Sequence, residues 1–263
     1  MSRGARPSPL IVAVAIVALA FLVLPLAALA IRAPWADLPR LLTSEPVMQA
    51  LGLSLLTGAL STLACLVLGI PLAALLAHST GIAQRLLRAA VTIPLVLPPV
   101  VGGIALLLLL GRRGLLGQFL AEAGLGIPYT TGAVVIAQTF VAMPFLVFAV
   151  EGALGAADRR TEAAAATLGA SRWQVFRLVT VPLVAPGIAA GAVLCFTRAL
   201  GEFGATITFA GSLPGVTRTL PIASYLALQS DPEAAIALAL LLLVVSIVVL
   251  VSLRARWLPG VRA

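Results

Sequence analysis

The sequence predicts an all-α membrane protein of about six transmembrane helices, with both chain ends on the cytoplasmic side. Three observations predict it. Of the 263 residues, 61% are hydrophobic and only 10% are charged, whereas a soluble domain carries about 25% charged residues. Uncharged apolar runs of about 20 residues, the length that crosses a bilayer core, recur along the chain. The basic residues fall unequally on the two sides that those runs define.

The first run, 10–31, follows Arg3 and Arg6 and contains Ala28-Leu29-Ala30, which gives it the look of a secretory leader. Its length exceeds the roughly 7–15 residues of a leader core, so it reads as a retained span. The second run lies within 46–77 and starts near Met48. The third, 89–111, carries Pro94, Pro98 and Pro99 just before Gly102 and Gly103. Proline removes a backbone donor and kinks a helix, and broken backbone at membrane depth is tolerated where protein or a cavity encloses it. A lined pathway and close helix packing both account for this pattern. The fourth run lies within 123–150, starts near Gly132 and carries Pro144. The fifth opens at 178–197 and is expected to continue to about Phe203, and the sixth is 234–253. Each is expected to be helical, because lipid offers the backbone no hydrogen-bond partner.

Charge sets the orientation. With the N-terminus in the cytoplasm, the inner side holds Arg3, Arg6, Arg85, Arg88, Arg159, Arg160, Arg172, Arg177, Arg254, Arg256 and Arg262. The outer side holds Arg32, Arg40, Arg112, Arg113 and Arg218, while Arg198 falls inside the membrane. The twofold excess obeys the positive-inside rule. On the outer side, Asp37, Glu45, Glu122, Asp231 and Glu233 cancel the five arginines. The inner face therefore carries the net charge of +8, even with Asp158, Glu162 and the boundary residue Glu151.

Several functions are excluded or poorly supported. All 17 basic residues are arginine, so no P-loop lysine is available to hold nucleotide phosphates. The arginines are scattered in short loops without an aromatic platform, which speaks against nucleic-acid binding. Cys65 and Cys195 sit in apolar runs and read as small buried hydrophobes. His78, the one histidine, falls where the second span meets the cytoplasm. One histidine and few acids give poor support for a metal site.

The inner segment 151–182 is too ordered in composition to be a linker. Residues 158–167 are alanine-rich and favour helix. Gly169 interrupts, and Ser171 is placed to cap a second short helix through Arg177. The result is a helix–glycine–helix elbow on the membrane surface; a simple interfacial amphipathic helix is the plainer reading. Glu162-Ala163-Ala164, Gly169 and Val179-Thr180-Val181-Pro182 resemble the EAA loop of binding-protein-dependent ABC importer permeases. In that pattern E-A-A is followed by three residues, G, nine residues and I-x-L-P. Here nine residues separate Gly169 from Val179, and valines replace Ile and Leu. Four residues separate Ala164 from Gly169. Either Glu162 stands one place early or Ala163 occupies the usual Glu position. The resemblance covers about residues 47–253. It implies a type I importer permease fold and a loop seated in a cleft of an ATPase subunit, with Glu162, Ala163, Ala164, Gly169, Ala170, Ser171, Arg172 and Pro182 as coupling residues.

The stretch from Phe196 to Phe209 is the second informative segment. Arg198 and Glu202 are four apart and share a helix face. Charges at membrane depth are costly, and this pair reads equally as a functional pair or as a structural tie. Leu200-Gly201-Glu202-Phe203-Gly204-Ala205 resembles both the molybdate and sulfate/thiosulfate branches of the permease family. The continuation Thr206-Ile207-Thr208-Phe209 and the run Thr217-Arg218-Thr219 are similar to the molybdate branch. Arg198, Glu202, Thr206 and Thr208 are the expected pathway residues.

The resemblance further implies a homodimer of this chain, two ATPase subunits carrying ATP and Mg²⁺, and an extracytoplasmic oxyanion-binding protein. No catalytic, metal or cofactor residue is expected on this chain. The expected organisation is a first span and outer loop over 1–46, a transporter domain over 47–253 and a cytoplasmic tail over 254–263. An ion-coupled secondary transporter is the rival class, but it calls for repeats and acidic midplane sites. No repeat is seen, and Glu202 is the lone intramembrane acid. An intramembrane enzyme lacks a nucleophile elbow and a second histidine.

Overall fold

A computed structural model describes residues 8–157 and 159–257, and among these the regular structure is helical throughout. Helix α1, Pro9–Ile31, starts at Ser8, whose hydroxyl accepts from the Ile11 N–H at 3.4 Å. It buries no residue and stands at the edge of the bundle. The short α2, Leu38–Leu42, leads into α3, Glu45–His78. Helix α4, Gly81–Val96, and α5, Pro99–Leu110, meet at a bend of 113°. The short α6, Gly117–Glu122, precedes α7, Thr131–Ala156, which is capped by Thr130 accepting from the Ala133 N–H at 3.2 Å. Then come α8, Arg159–Thr167, α9, Arg172–Val175, a π-turn at Phe176–Thr180, and α10, Val181–Leu200. Three further helices complete the described chain: α11, Gly204–Ala210, α12, Leu220–Ala227, and α13, Pro232–Trp257.

Five helices are long and apolar enough to cross a membrane, and the bent pair α4–α5 makes a sixth. The expected six-span, all-α architecture holds, with two corrections to the fifth span and the elbow. The third run is broken at its prolines, as their crowding implied. Leu97 is extended, and Pro98-Pro99 cannot donate the bonds that would carry α4 onward. The fifth span stops at Leu200 rather than near Phe203, because the chain turns at Gly201 and restarts as α11. The second arm of the elbow is not a separate short helix, because it runs through the π-turn into α10. Of the residues used for orientation, Arg3, Arg6, Asp158 and Arg262 lie outside the described residues, as do the side chains of Arg159, Arg160, Glu162, Arg254 and Arg256.

The core is built where α3, α7 and α10 pack together around Cys65, Leu76, Leu146, Val147, Val150 and Cys195. Small residues let these helices approach, as membrane bundles require. Gly187 and Gly191 of α10 face Ala153 and Ala149 of α7, and a Cβ at Gly191 would sit 3.0 Å from Ala149 Cβ. A polar stripe on α3 adds directional ties. Ser54 Oγ accepts the Leu220 N–H at 2.7 Å, anchoring the start of α12, and Ser61 Oγ donates to Gln138 Oε1 of α7 at 3.0 Å. Such interhelical bonds contribute about 0.6 kcal/mol each on average.

Candidate functional site

The structure gives the elbow a defined turn. Helix α8 ends in a Schellman motif: the Gly169 N–H donates to Ala166 O at 3.1 Å and the Ala170 N–H to Ala165 O at 3.2 Å. Gly169 has φ +86°, a region that residues with a Cβ rarely adopt. Ser171 then opens α9 with a capping box. Its Oγ accepts from the Gln174 N–H at 3.3 Å, and Gln174 Oε1 accepts from the Ser171 N–H at 2.8 Å. Pro182 has no N–H to offer Leu178, four residues back, and the backbone relaxes into the π-turn, where the Val181 N–H reaches Phe176 O. Both arms of the elbow are thus terminated or continued by identifiable caps.

Of the expected coupling residues, Ala163, Ala164, Gly169, Ser171 and Arg172 are exposed along the elbow, Ala170 is half-buried, and Pro182 is exposed at the start of α10. Sequence reading missed the apolar surface beside them. Leu168 is 88% exposed at the apex, and Trp173 is exposed and stacks on Phe176 with ring centroids 5.7 Å apart. A hydrophobic residue immediately before the turn glycine is the signal that could have found Leu168. Beneath the elbow lies a cavity of about 610 Å³ bounded by His78, Leu154, Ala166, Arg172, Phe176 and Thr180.

The second site lies where α10 ends. Arg198 Nη1 and Glu202 Oε2 form an ion pair of 2.6 Å; the Arg198 side chain is 27% exposed and that of Glu202 is 1% exposed. Glu202 Oε1 also accepts the Ala205 N–H at 2.8 Å. One carboxylate therefore neutralises an arginine and caps α11. Thr208 and Thr206 behave differently from each other. Thr208 Oγ1 donates back to Gly204 O at 2.8 Å, whereas the Thr206 hydroxyl is fully buried with no hydrogen-bond partner among the described residues. Helix α11 is pressed against α5, since a Cβ at Gly103 would lie 2.8 Å from Ala205 O. The glycines of the third run thus serve close packing, Gly102 against Phe140 of α7 and Gly103 against α11, and Gly103 brings the bent span onto the helix that Glu202 caps.

A boundary pair escaped the sequence reading. Arg88 of α4 and Glu151 of α7, 63 residues apart, form an ion pair at the cytoplasmic end of the bundle.

The fold is a six-span bundle with a capped cytoplasmic elbow and a broken third span. Residues 69–259 match the family of binding-protein-dependent transport system inner membrane components, and the chain belongs to it. The relatives narrow the class. The chain is 52% identical over 242 residues to the molybdenum transport system permease protein ModB of Mycobacterium tuberculosis, covering 92% of each. It is 41% identical over 222 residues to the protein of the same name from Escherichia coli (strain K12), covering 84% of this chain and 97% of the relative. Among solved structures, it superposes on a bacterial alginate ABC transporter in complex with a pentasaccharide-bound periplasmic protein. There the TM-score is 0.73 at 19% identity, covering 94% of this chain and 91% of the other. That likeness shows the fold. The chain is a multi-pass inner-membrane transport component, not an enzyme.

Proposed function

We infer that the chain is the membrane-spanning permease subunit of an ATP-driven importer that carries molybdate across the cytoplasmic membrane by alternating access. The observation that carries the importer reading is the elbow. Its turn is set by Gly169, its second arm is one continuous helix with the span that carries Arg198 and ends at Leu200, and it presents Leu168 and Trp173 to the cytoplasm. Such a lever suits an ATPase cleft, with Glu162, Ala163, Ala164, Ala170, Ser171, Arg172 and Pro182 completing the contact surface. The substrate reading rests on the similarity to the molybdenum permeases.

The assembly we infer has two copies of this chain, two ATPase subunits that hold ATP and Mg²⁺, and an extracytoplasmic binding protein that selects the oxyanion. The neutral outer face suits delivery by such a protein, because it exerts no long-range pull on a dianion. At the Arg198–Glu202 site a strong cationic pocket would trap a dianion. An arginine already balanced by a carboxylate, near Thr206 and Thr208, offers weak polarity instead. These four residues are the proposed pathway site: Arg198 is its partly exposed contact, and Glu202 and Thr206 are sealed behind it in this conformation.

The test is uptake in cells lacking their own molybdate system, supplied with this permease and its native partners. Rescue of molybdenum-dependent nitrate reduction at low molybdate, undiminished by excess sulfate, is the expected result. Abolition of rescue by sulfate would move the chain to the sulfate/thiosulfate branch, and the homodimer would fall with it.

A further inference from the structure

Arg198–Glu202 and Asp37–Arg40 are ion pairs within one stretch of chain. Arg88–Glu151 is, among the described residues, the ion pair that joins elements remote in sequence. Its position is mechanically unusual. Glu151 lies near the end of α7, just before the elbow, and its side chain is 14% exposed against 53% for Arg88. Gly187 and Gly191 clamp α10 to α7, so the two helices that enter and leave the elbow form one tight body. Helix α4 is held more loosely: Val91 is its one buried residue, with Leu87 packed beside it on the same core. Beyond α4 comes the 113° bend, then α5, whose Gly103 bears on Ala205 of α11. Helix α11 is the one capped by Glu202.

We propose that the Arg88–Glu151 pair is the tie that passes movement of the elbow from α7 to the bent third span, and through α5 to the Arg198–Glu202 site. Both residues are positioning residues, and the inference rests on the elbow being the ATPase dock. A charge pair suits this duty. It resists separation of α4 from α7, yet its half-exposed arginine leaves α4 free to tilt. Without the tie, α4 would be held to the core by Val91 and Leu87 alone, free to lag behind the elbow, and ATP would then be hydrolysed without opening the site.

The experiment uses the complete transporter in proteoliposomes, with permease, ATPase and binding protein, and reads molybdate moved per ATP hydrolysed. Loss of coupling in Gly169→Val, measured in the same proteoliposomes, tests the dock reading separately from the tie. Arg88→Gln and Glu151→Gln are each expected to hydrolyse ATP normally while the ratio falls about fivefold, the lower end of ordinary coupling between sites. The exchange Arg88→Glu with Glu151→Arg is expected to restore most of the ratio. An unchanged ratio in either single variant, or an assembled exchange variant that stays uncoupled, would overturn the proposal. If the single variants fail to assemble, cross-linking decides. Arg88→Cys with Glu151→Cys, bridged by a short bis-maleimide, joins α4 to α7 covalently; Cys65 and Cys195 are buried and do not compete. A tie that stays closed through the cycle predicts retained transport, and arrest on bridging would overturn it.

Discussion

Glu202 holds the outer site together through two different bonds. Its carboxylate is almost fully buried, and an unpaired charge at membrane depth costs about 2.5–3.5 kcal/mol on insertion scales. Replacing Arg198 alone or Glu202 alone with alanine should therefore damage transport or folding more than replacing both. A double-mutant cycle that returns additive losses would show that the two do not act as a pair. Because Glu202 also caps α11, Glu202→Gln should be milder than Glu202→Ala, since the amide oxygen can still accept from Ala205. Gly103 offers a separate test. A methyl group there meets Ala205 O and Thr208 Cβ at 2.8 Å, and overpacking of this kind costs about 1–3 kcal/mol. Gly103→Ala should lower transport by forcing α5 from α11 while leaving co-purification with the ATPase intact. At this scale the sequence was partly legible. Arg198 and Glu202 could be paired because four positions bring residues onto one helix side. Arg88 and Glu151 could not, because no local spacing relates residues on separate helices. The sealed position of Thr206 was equally hidden, since it depends on how α11 docks.

The elbow is where the element scale decides function. Gly169 at φ +86° ends α8, and the left-handed region costs roughly 1–2 kcal/mol for a residue with a Cβ. Gly169→Val is expected to leave membrane insertion unchanged but to uncouple ATP hydrolysis from transport, measured as uptake per ATP in the assembled complex. Surviving uptake together with normal ATPase binding would mean that the dock lies elsewhere. Ser171→Ala removes one half of the capping box and should cost about 1 kcal/mol of local helix stability. Most helices were legible from run length. The break in the third span was visible only as composition: hydropathy counts apolar residues and is blind to the direction of the chain, so Pro98-Pro99 signalled a break but not a 113° turn. The continuity of α9 with α10 was hidden because Arg172 and Arg177 made the second arm read as a short surface helix separate from the apolar span, and the π-turn that joins them leaves no hydrophobic period.

At the scale of the whole molecule, charge asymmetry and span count made orientation legible, because lipid constrains both strongly. Assembly was less legible. Helix α1 buries nothing within this chain, and no local pattern says what it meets. The account makes the molecule one lever: a cytoplasmic elbow, a clamped α7–α10 body, and a bent span bearing on a neutralised arginine. Its central claim is that ATP hydrolysed by a separate subunit drives molybdate inward through this chain. The most direct measurement reconstitutes the permease, its ATPase and its binding protein in proteoliposomes. ATP is supplied on the elbow side and molybdate on the other, with ion gradients collapsed. The account predicts molybdate accumulation that requires all three proteins and stops when ATP is replaced by a non-hydrolysable analogue. Uptake that persists without the ATPase and follows an imposed ion gradient would contradict it and place the chain among ion-coupled transporters.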